Sequence, residues 1–194
     1  MVANNNRIFY VIVIVSFFIF AFDIPSGWFQ AGSKPDSYDM GIDLGAGRDG
    51  KNAATIKSRE EKINGFGTLM QECIPGNYLG RRVRMSAYVK SKDVENKAGL
   101  WFRVDEAGSK QPLAFDNMAD RPIKGTTEWR KYEIVLDIPA NASNLAYGAL
   151  LAGRGQIWFD DLKFEIVDST ISTTRGLKQT DMRLNQPTNL DFEK

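Results

Sequence analysis

Short runs of alternating apolar and polar residues, cut repeatedly by Gly, Pro, Asn or Asp, constrain this chain more than any other feature of its sequence. Between Arg82 and Val89 the odd positions Val83, Met85, Ala87 and Val89 are apolar, while Arg82, Arg84 and Ser86 are polar. Between Leu100 and Asp105 the phase is reversed. Leu100, Phe102 and Val104 point one way; Trp101, Arg103 and Asp105 point the other. A repeat of two places residues on alternate faces of a strand, and the aromatic and β-branched content of Tyr132–Asp137 and Gln156–Asp160 agrees with that assignment. Further strand candidates are Trp28–Ala31, Tyr38–Ile42, Ala53–Lys57, Phe66–Cys73, Leu113–Phe115 and Leu145–Leu151. Asn52–Ile63 is ambiguous between helix and strand, and we read Ala53–Lys57 as strand and the charged cluster Arg59–Lys62 as a solvated loop. No capped amphipathic helix and no internal repeat interrupts the pattern. Many short strands separated by turns predict an all-β sandwich or jelly roll.

The N-terminus breaks that pattern. Ile8 to Phe22 is an apolar run of 15 residues interrupted only by Ser16 and preceded by Arg7. A membrane-spanning helix needs about 20 apolar residues and a signal-peptide core about 7–15. The run therefore reads as an N-terminal apolar helix serving as signal peptide or membrane anchor. The stretch Asp23-Ile24-Pro25-Ser26 offers no small-residue cleavage pattern. The expected organisation is a leader or anchor over 1–26, a β-sandwich over 27–168, and a linker with a C-terminal strand over 169–194. Export or membrane anchoring through residues 8–22 is the expectation, with a cytoplasmic location left open, because the lone Cys73 suits either side of a membrane.

Composition closes several routes to chemistry. The chain has no His and one Cys, so it lacks Ser-His-Asp or Cys-His catalysis, an internal disulfide and any CxxC motif. Its 25 Lys and Arg against 24 Asp and Glu leave a net charge of +1, which provides no global field for nucleic acid. Gly45 to Asn52 contains a literal GxGxxG and nearly matches a P-loop, with Asn52 where a Ser or Thr hydroxyl would ligate magnesium. Both motifs need a strand–loop–helix setting, whereas the surroundings read as antiparallel β, so this segment is expected to be a hairpin loop. Paired carboxylates for glycoside hydrolysis are not singled out by any pattern. Asn141-Ala142-Ser143 matches the N-glycosylation acceptor, which matters only in a eukaryotic secretory host. The expected protein is not an enzyme.

Larger stretches carry a resemblance. They are Thr127 to Pro139 with its Trp129-Arg130-Lys131-Tyr132 core, Asn144 to Gly148, and Gly155 to Glu165 with its Asp160-Asp161 pair. From Gly27 to Val167 the chain resembles a carbohydrate-binding-module jelly roll of the galactose-binding-like fold. Gly27-Trp28-Phe29, Phe66 to Gln71, Ala98 to Asp105, Ala114 to Met118 and Arg121 to Thr127 narrow the likeness. They are similar to a bacterial β-domain found alone or behind the DNA-binding domain of some AraC-type transcriptional regulators. No helix-turn-helix pattern fits ahead of Trp28. The tail segment Pro187 to Glu193 resembles the strand that usually opens such modules. Circular permutation, a truncated second module and coincidence in a tail remain as explanations, and we favour permutation.

The resemblance implies no required cofactor but points to a structural Ca²⁺ site, with Asp160, Asp161 and Glu193 supplying carboxylates. It also implies a carbohydrate or small polar ligand on a concave sheet, where aromatic faces meet sugar C–H groups and planar polar groups meet hydroxyls. On that basis the candidate contacts are Gln71, Trp101, Arg103, Asp105, Asp116, Asn117 and Arg121. For Trp101 burial in a core, and for Arg103 with Asp105 a same-face salt bridge, are the competing structural readings. A sensory or protein-interaction domain is the alternative function.

Overall fold

The computed structural model describes residues 22–174. The apolar run up to residue 21, expected to be a leader or anchor, and the tail from 175, including Glu193 and the strand expected near it, lie outside the described residues. Nine strands follow in order: β1 (Phe29–Gly32), β2 (Tyr38–Asp43), β3 (Ala53–Ser58), β4 (Phe66–Cys73), β5 (Arg81–Asp105), β6 (Ala114–Asp116), β7 (Ile123–Ile138), β8 (Asn144–Ala152) and β9 (Gln156–Val167). Among the described residues the only helices are two short 3₁₀ turns, Pro35–Ser37 and Gly76–Tyr78. Every pairing among these nine strands of the described residues is antiparallel.

The segments Arg82–Val89 and Leu100–Asp105, which read as two strands, are the two halves of one 25-residue strand. Residues 81–92 of β5 pair with β7 and β9, and β9 continues to β3 and β2. Residues 97–105 pair with β8, which continues to β4 and β1, while β6 pairs with 102–104. One strand thus feeds both layers of the sandwich. The bend between its halves falls where the β5–β7 register shifts. There Asp93 has a φ of 52° and Gly125 one of 68°. Thr126 Oγ1 accepts the Asp93 N–H at 3.0 Å, and buried Ser91 donates to the Gly125 carbonyl at 3.0 Å. These bonds satisfy polar groups that the broken ladder would leave unpaired, the buried Ser91 hydroxyl among them.

The alternation observed in the sequence delivers the core. Val83, Met85, Ala87 and Val89 from one half of β5, and Leu100, Phe102 and Val104 from the other, are all fully buried in one cluster. That cluster also takes Ile134, Leu136 and Ile138 from β7, Leu145, Ala149 and Leu151 from β8, and Ile157 and Phe159 from β9. Trp28 closes the cluster against Tyr147 and Phe159, with ring centroids 6.0 and 5.8 Å away. The Gly-rich segment after β2 is the connection of the β2–β3 hairpin, as its antiparallel surroundings required. Beyond the expected domain limits, Asp23 bridges Ile42, and the Thr174 N–H donates to the Val135 carbonyl at 2.9 Å.

Tyr147 gives the core a pH signature. Its hydroxyl donates to Gln71 Oε1 at 2.6 Å, and burial, reinforced by neighbouring Cys73, pushes its pKa up to about 12. An unfolded tyrosine titrates near 10. The folded value is the higher one, so its stabilising contribution is complete below about pH 10 and is lost as pH rises toward 12. Burial likewise raises Tyr38, so the alkaline limb is shared. Tyr147→Phe is expected to flatten part of the fall in urea midpoint between about pH 9 and 12, while costing about 1 kcal/mol at neutral pH for the lost hydrogen bond. An unchanged alkaline slope would show that Tyr147 titrates normally.

Candidate functional site

The layer of β1, β4, β8 and residues 97–105 of β5 has a second face, turned away from the core, and its centre is a trough. On β8 the residues pointing there are small or modest: Ala146, Gly148, Leu150 and Ala152. On one side stand Trp101, Arg103 and Asp105 of β5; on the other Phe66, Thr68, Met70 and Glu72 of β4. The register aligns them in rows: Arg103–Ala146–Glu72, Trp101–Gly148–Met70 and Lys97–Ala152–Phe66. A Cβ on Gly148 would run into the Leu69 carbonyl oxygen and Met70 Cα, so β4 lies closer to β8 than any other residue there would permit. The resulting cleft has a volume of about 520 Å³. From Ala146 to Ala152 its floor extends about 20 Å at the usual strand rise.

Trp101 makes the floor rather than a free wall. Its indole is 9% exposed, packs with Met70, Ala146 and Leu150, and reaches across β8 to donate from Nε1 to Thr68 Oγ1 at 2.8 Å. The Thr68 hydroxyl donates onward to the Ala149 carbonyl at 2.7 Å, which fixes its orientation as an acceptor for the indole. Arg103 and Asp105 share a face as expected and bond to each other, Nε to Oδ1 at 2.6 Å. That bond uses one edge of the guanidinium, and the Arg103 side chain makes no other hydrogen bond among the described residues. Asn117 also lines the cleft.

Three other expected contacts stand elsewhere. Gln71 points into the sandwich, because strand alternation puts it on the face opposite Met70 and Glu72; there it donates to the Gly27 carbonyl at 3.2 Å and accepts from Tyr147. Asp116 is fully buried beneath the rim. Its Oδ1 accepts the Met118 N–H at 2.8 Å and its Oδ2 accepts from Arg121 Nη2 at 2.6 Å. Arg121 spends its donors on Asp116, Asp120 and the Glu133 carbonyl. Burial pulls its pKa down, but the two carboxylates outweigh that and the net direction is up. The pair builds the turn after β6, in which Met118 adopts a φ of 54° and is buried against Gly99. Asp116 and Arg121 therefore brace the turn that carries Asn117, and neither lines the cleft.

Two aromatic residues join the cleft beyond the expected contacts. Phe66 on β4 and Phe115 on β6 are 38% and 42% exposed and line the cleft. Phe115 pairs with Arg103, and Phe66 sits in the Lys97 row, so the two rings mark opposite ends of the trough. Exposed phenylalanine on a sheet is the signal, and exposure is not legible from residue type. Asp160 and Asp161, the proposed calcium carboxylates, lie in the other layer at a β9 bulge and contact Arg48. Among the described residues no group of three or more His, Cys, Asp or Glu is arranged to hold a metal ion. A second depression, of about 630 Å³, surrounds Arg82. Arg82 is occupied there by Asp137 and by the Ser169 and Ile171 carbonyls, which makes this a fastening for the chain after β9.

No protein-family model matches the chain. Over 168 residues, or 86% of its length, it is 43% identical to the uncharacterized HTH-type transcriptional regulator YbfP of Bacillus subtilis (strain 168), and it spans 56% of that protein. It superposes on the CBM22-1 xylan-binding domain of Paenibacillus barcinonensis Xyn10C with a TM-score of 0.53 and 17% identity, covering 77% of this chain and 91% of that one. A similar match, TM-score 0.56 and 12% identity, is to the enzymatically active domain of bacteriophage CBA120 tailspike protein 4, covering 73% of this chain and 20% of that one. At such identities the likeness is one of fold, and the fold hosts both binding modules and enzymes. The described residues form an all-β sandwich with the jelly-roll, galactose-binding-like fold of carbohydrate-binding modules.

Proposed function

We propose that this chain is a non-catalytic binding module whose ligand, a carbohydrate or a related polar small molecule, lies along the β8 trough. The observation that carries this reading is the pairing of exposed Phe66 and Phe115 at the two ends of a cleft lined by Arg103, Asp105 and Asn117. Ring faces take the C–H side of a sugar, and the guanidinium, carboxylate and amide serve its hydroxyls. Of the two carboxylates lining the cleft, Asp105 is committed to Arg103, which favours binding over acid–base chemistry. The fold of carbohydrate-binding modules supports the same ligand class.

A glycan array with the full chain, followed by calorimetry on a glycan that binds, tests the proposal. Phe66→Ala and Phe115→Ala are each expected to weaken binding about tenfold, equivalent to about 1.4 kcal/mol. Both rings are exposed, so the melting temperature should hold within about 2 °C. Absence of any glycan ligand, or affinity untouched by both substitutions, would sink the sugar reading.

The 43% identity to a protein named as a transcriptional regulator supports a second reading, a sensory or protein-interaction domain. A protein partner that binds the chain equally in both Phe variants, with no glycan bound, would favour it. We also infer that the apolar run over 8–22 exports or anchors the chain. Cell fractionation finding the full chain entirely in the soluble cytoplasm would contradict that assignment.

A further inference from the structure

The β9 bulge, where the fold resemblance points to calcium, is built around an arginine. Between the Ser86–Lys163 and Tyr88–Asp160 pairs β9 carries one more residue than β5, and Asp161 takes a φ of 57° to accommodate it. The four carboxylate oxygens of Asp160 and Asp161 all have nitrogen neighbours. Asp160 Oδ1 accepts the Asp161 N–H at 2.7 Å, and its Oδ2 lies 3.4 Å from the Arg48 N–H nitrogen. Asp161 Oδ2 accepts from Arg48 Nη1 at 3.0 Å, while its Oδ1 is 4.0 Å from Lys163 Nζ. The Arg48 guanidinium carbon lies 3.4 Å from the centroid of the Tyr88 ring.

Calcium requires about six to eight oxygen ligands around a bare cation. Here nitrogen donors and a fixed positive charge hold the space beside both carboxylates, so these two residues do not fit a calcium ion. Their third suggested partner, Glu193, lies outside the described residues.

We propose that Arg48 is the resident cation of this bulge: its guanidinium, stacked on Tyr88 and bonded to Asp161, replaces a divalent ion and fastens the β2–β3 loop to the sheet. Arginine suits the task because its charge does not titrate away and its plane presents donors at the edge and a flat face to an aromatic ring. The loop is shaped to deliver it. Gly45 and Gly50 have φ of 72° and 71°, the Gly47 N–H donates to the Lys51 carbonyl at 2.8 Å, and the Gly45 N–H donates to Asn52 Oδ1 at 3.2 Å. At the loop's start Asp43 Oδ2 accepts from Trp158 Nε1 at 2.7 Å, a second fastening to β9. The segment that mimicked a phosphate-binding loop is thereby a carrier for one cation, which serves its own sheet.

Thermal melts and calcium calorimetry on the full chain, which includes Glu193, test this. The wild-type melting temperature is expected to agree within about 1 °C in EDTA and in millimolar Ca²⁺, with no binding heat. R48A is expected to melt about 2–6 °C lower in EDTA, with faster amide exchange across residues 44–52. R48K, which keeps the charge and loses the flat face, is expected to fall between the two. Stoichiometric Ca²⁺ uptake by the wild type with a matching rise in melting temperature would overturn the proposal. So would an R48A protein with wild-type stability and loop exchange. If R48A does not fold, the wild-type titration and R48K decide in the same way.

Discussion

Asp116→Ala is expected to cost about 3 kcal/mol of stability, at the lower end of the range for removing one partner of a buried ion pair. The carboxylate is fully buried, and it ties three groups together: two guanidinium nitrogens of Arg121 and the Met118 N–H. Removing it strands the amide and leaves Arg121 facing only Asp120 and a carbonyl. Arg121 is one-third exposed, so water relieves part of its loss and keeps the cost from the upper limit. The double variant Asp116→Ala with Arg121→Met should recover part of the loss, because an apolar pair carries no uncompensated charge. Urea denaturation of the single and double variants measures both effects. A single-variant cost below about 1 kcal/mol would mean the turn after β6 is held by Met118 alone. Since that turn carries Asn117 to the cleft, ligand affinity should fall with stability in the single variant.

Trp101→Ala is expected to be comparably damaging, costing about 3–5 kcal/mol. The indole fills the outer cluster with Met70, Ala146 and Leu150, and the small residues Ala146, Gly148 and Ala152 of β8 cannot fill the vacated space. Trp101→Phe should cost less, about 1–2 kcal/mol, because it retains most of the apolar volume and loses chiefly the bond to Thr68. Equal losses for the two variants would show that the indole N–H, not the ring, is what matters. A large loss of folding in Trp101→Ala would lower ligand binding for either reason, whereas Phe66 and Phe115 can be removed without disturbing the sandwich.

The sequence read differently in different strands. In β5 the two faces differ sharply in polarity, so the core residues Leu100, Phe102 and Val104 and the outward set Trp101, Arg103 and Asp105 were separable by parity alone. In β8 nearly every position from Leu145 to Ala152 is apolar and buried, so alternation carries no information about which face is which. In β4 the apolar residues Leu69 and Met70 are adjacent and lie on opposite faces, so polarity alone does not tell which face Gln71 takes. Asp116 and Arg121 were placed near the rim, where the turn does lie, but nothing in the spacing reveals that they pair with each other under it.

By itself the sequence determined the all-β class, the position of most strands and the residues that share a face within β5. Those follow from local rules: strand alternation is a property of one backbone, and turn residues act where they stand. The tertiary structure alone decided that β5 bends into both layers, that β8 runs between β5 and β4 as the floor of a trough, and that Phe66 and Phe115 end up at its two ends. It alone brought Arg48 against Asp160 and Asp161, over a hundred residues away in the chain. These outcomes depend on strand order and register, which are set by which apolar faces can be buried together and by where an extra residue forces a bulge. A pattern with a period of two tells a strand which way to face, but its neighbours are chosen by the packing of the whole.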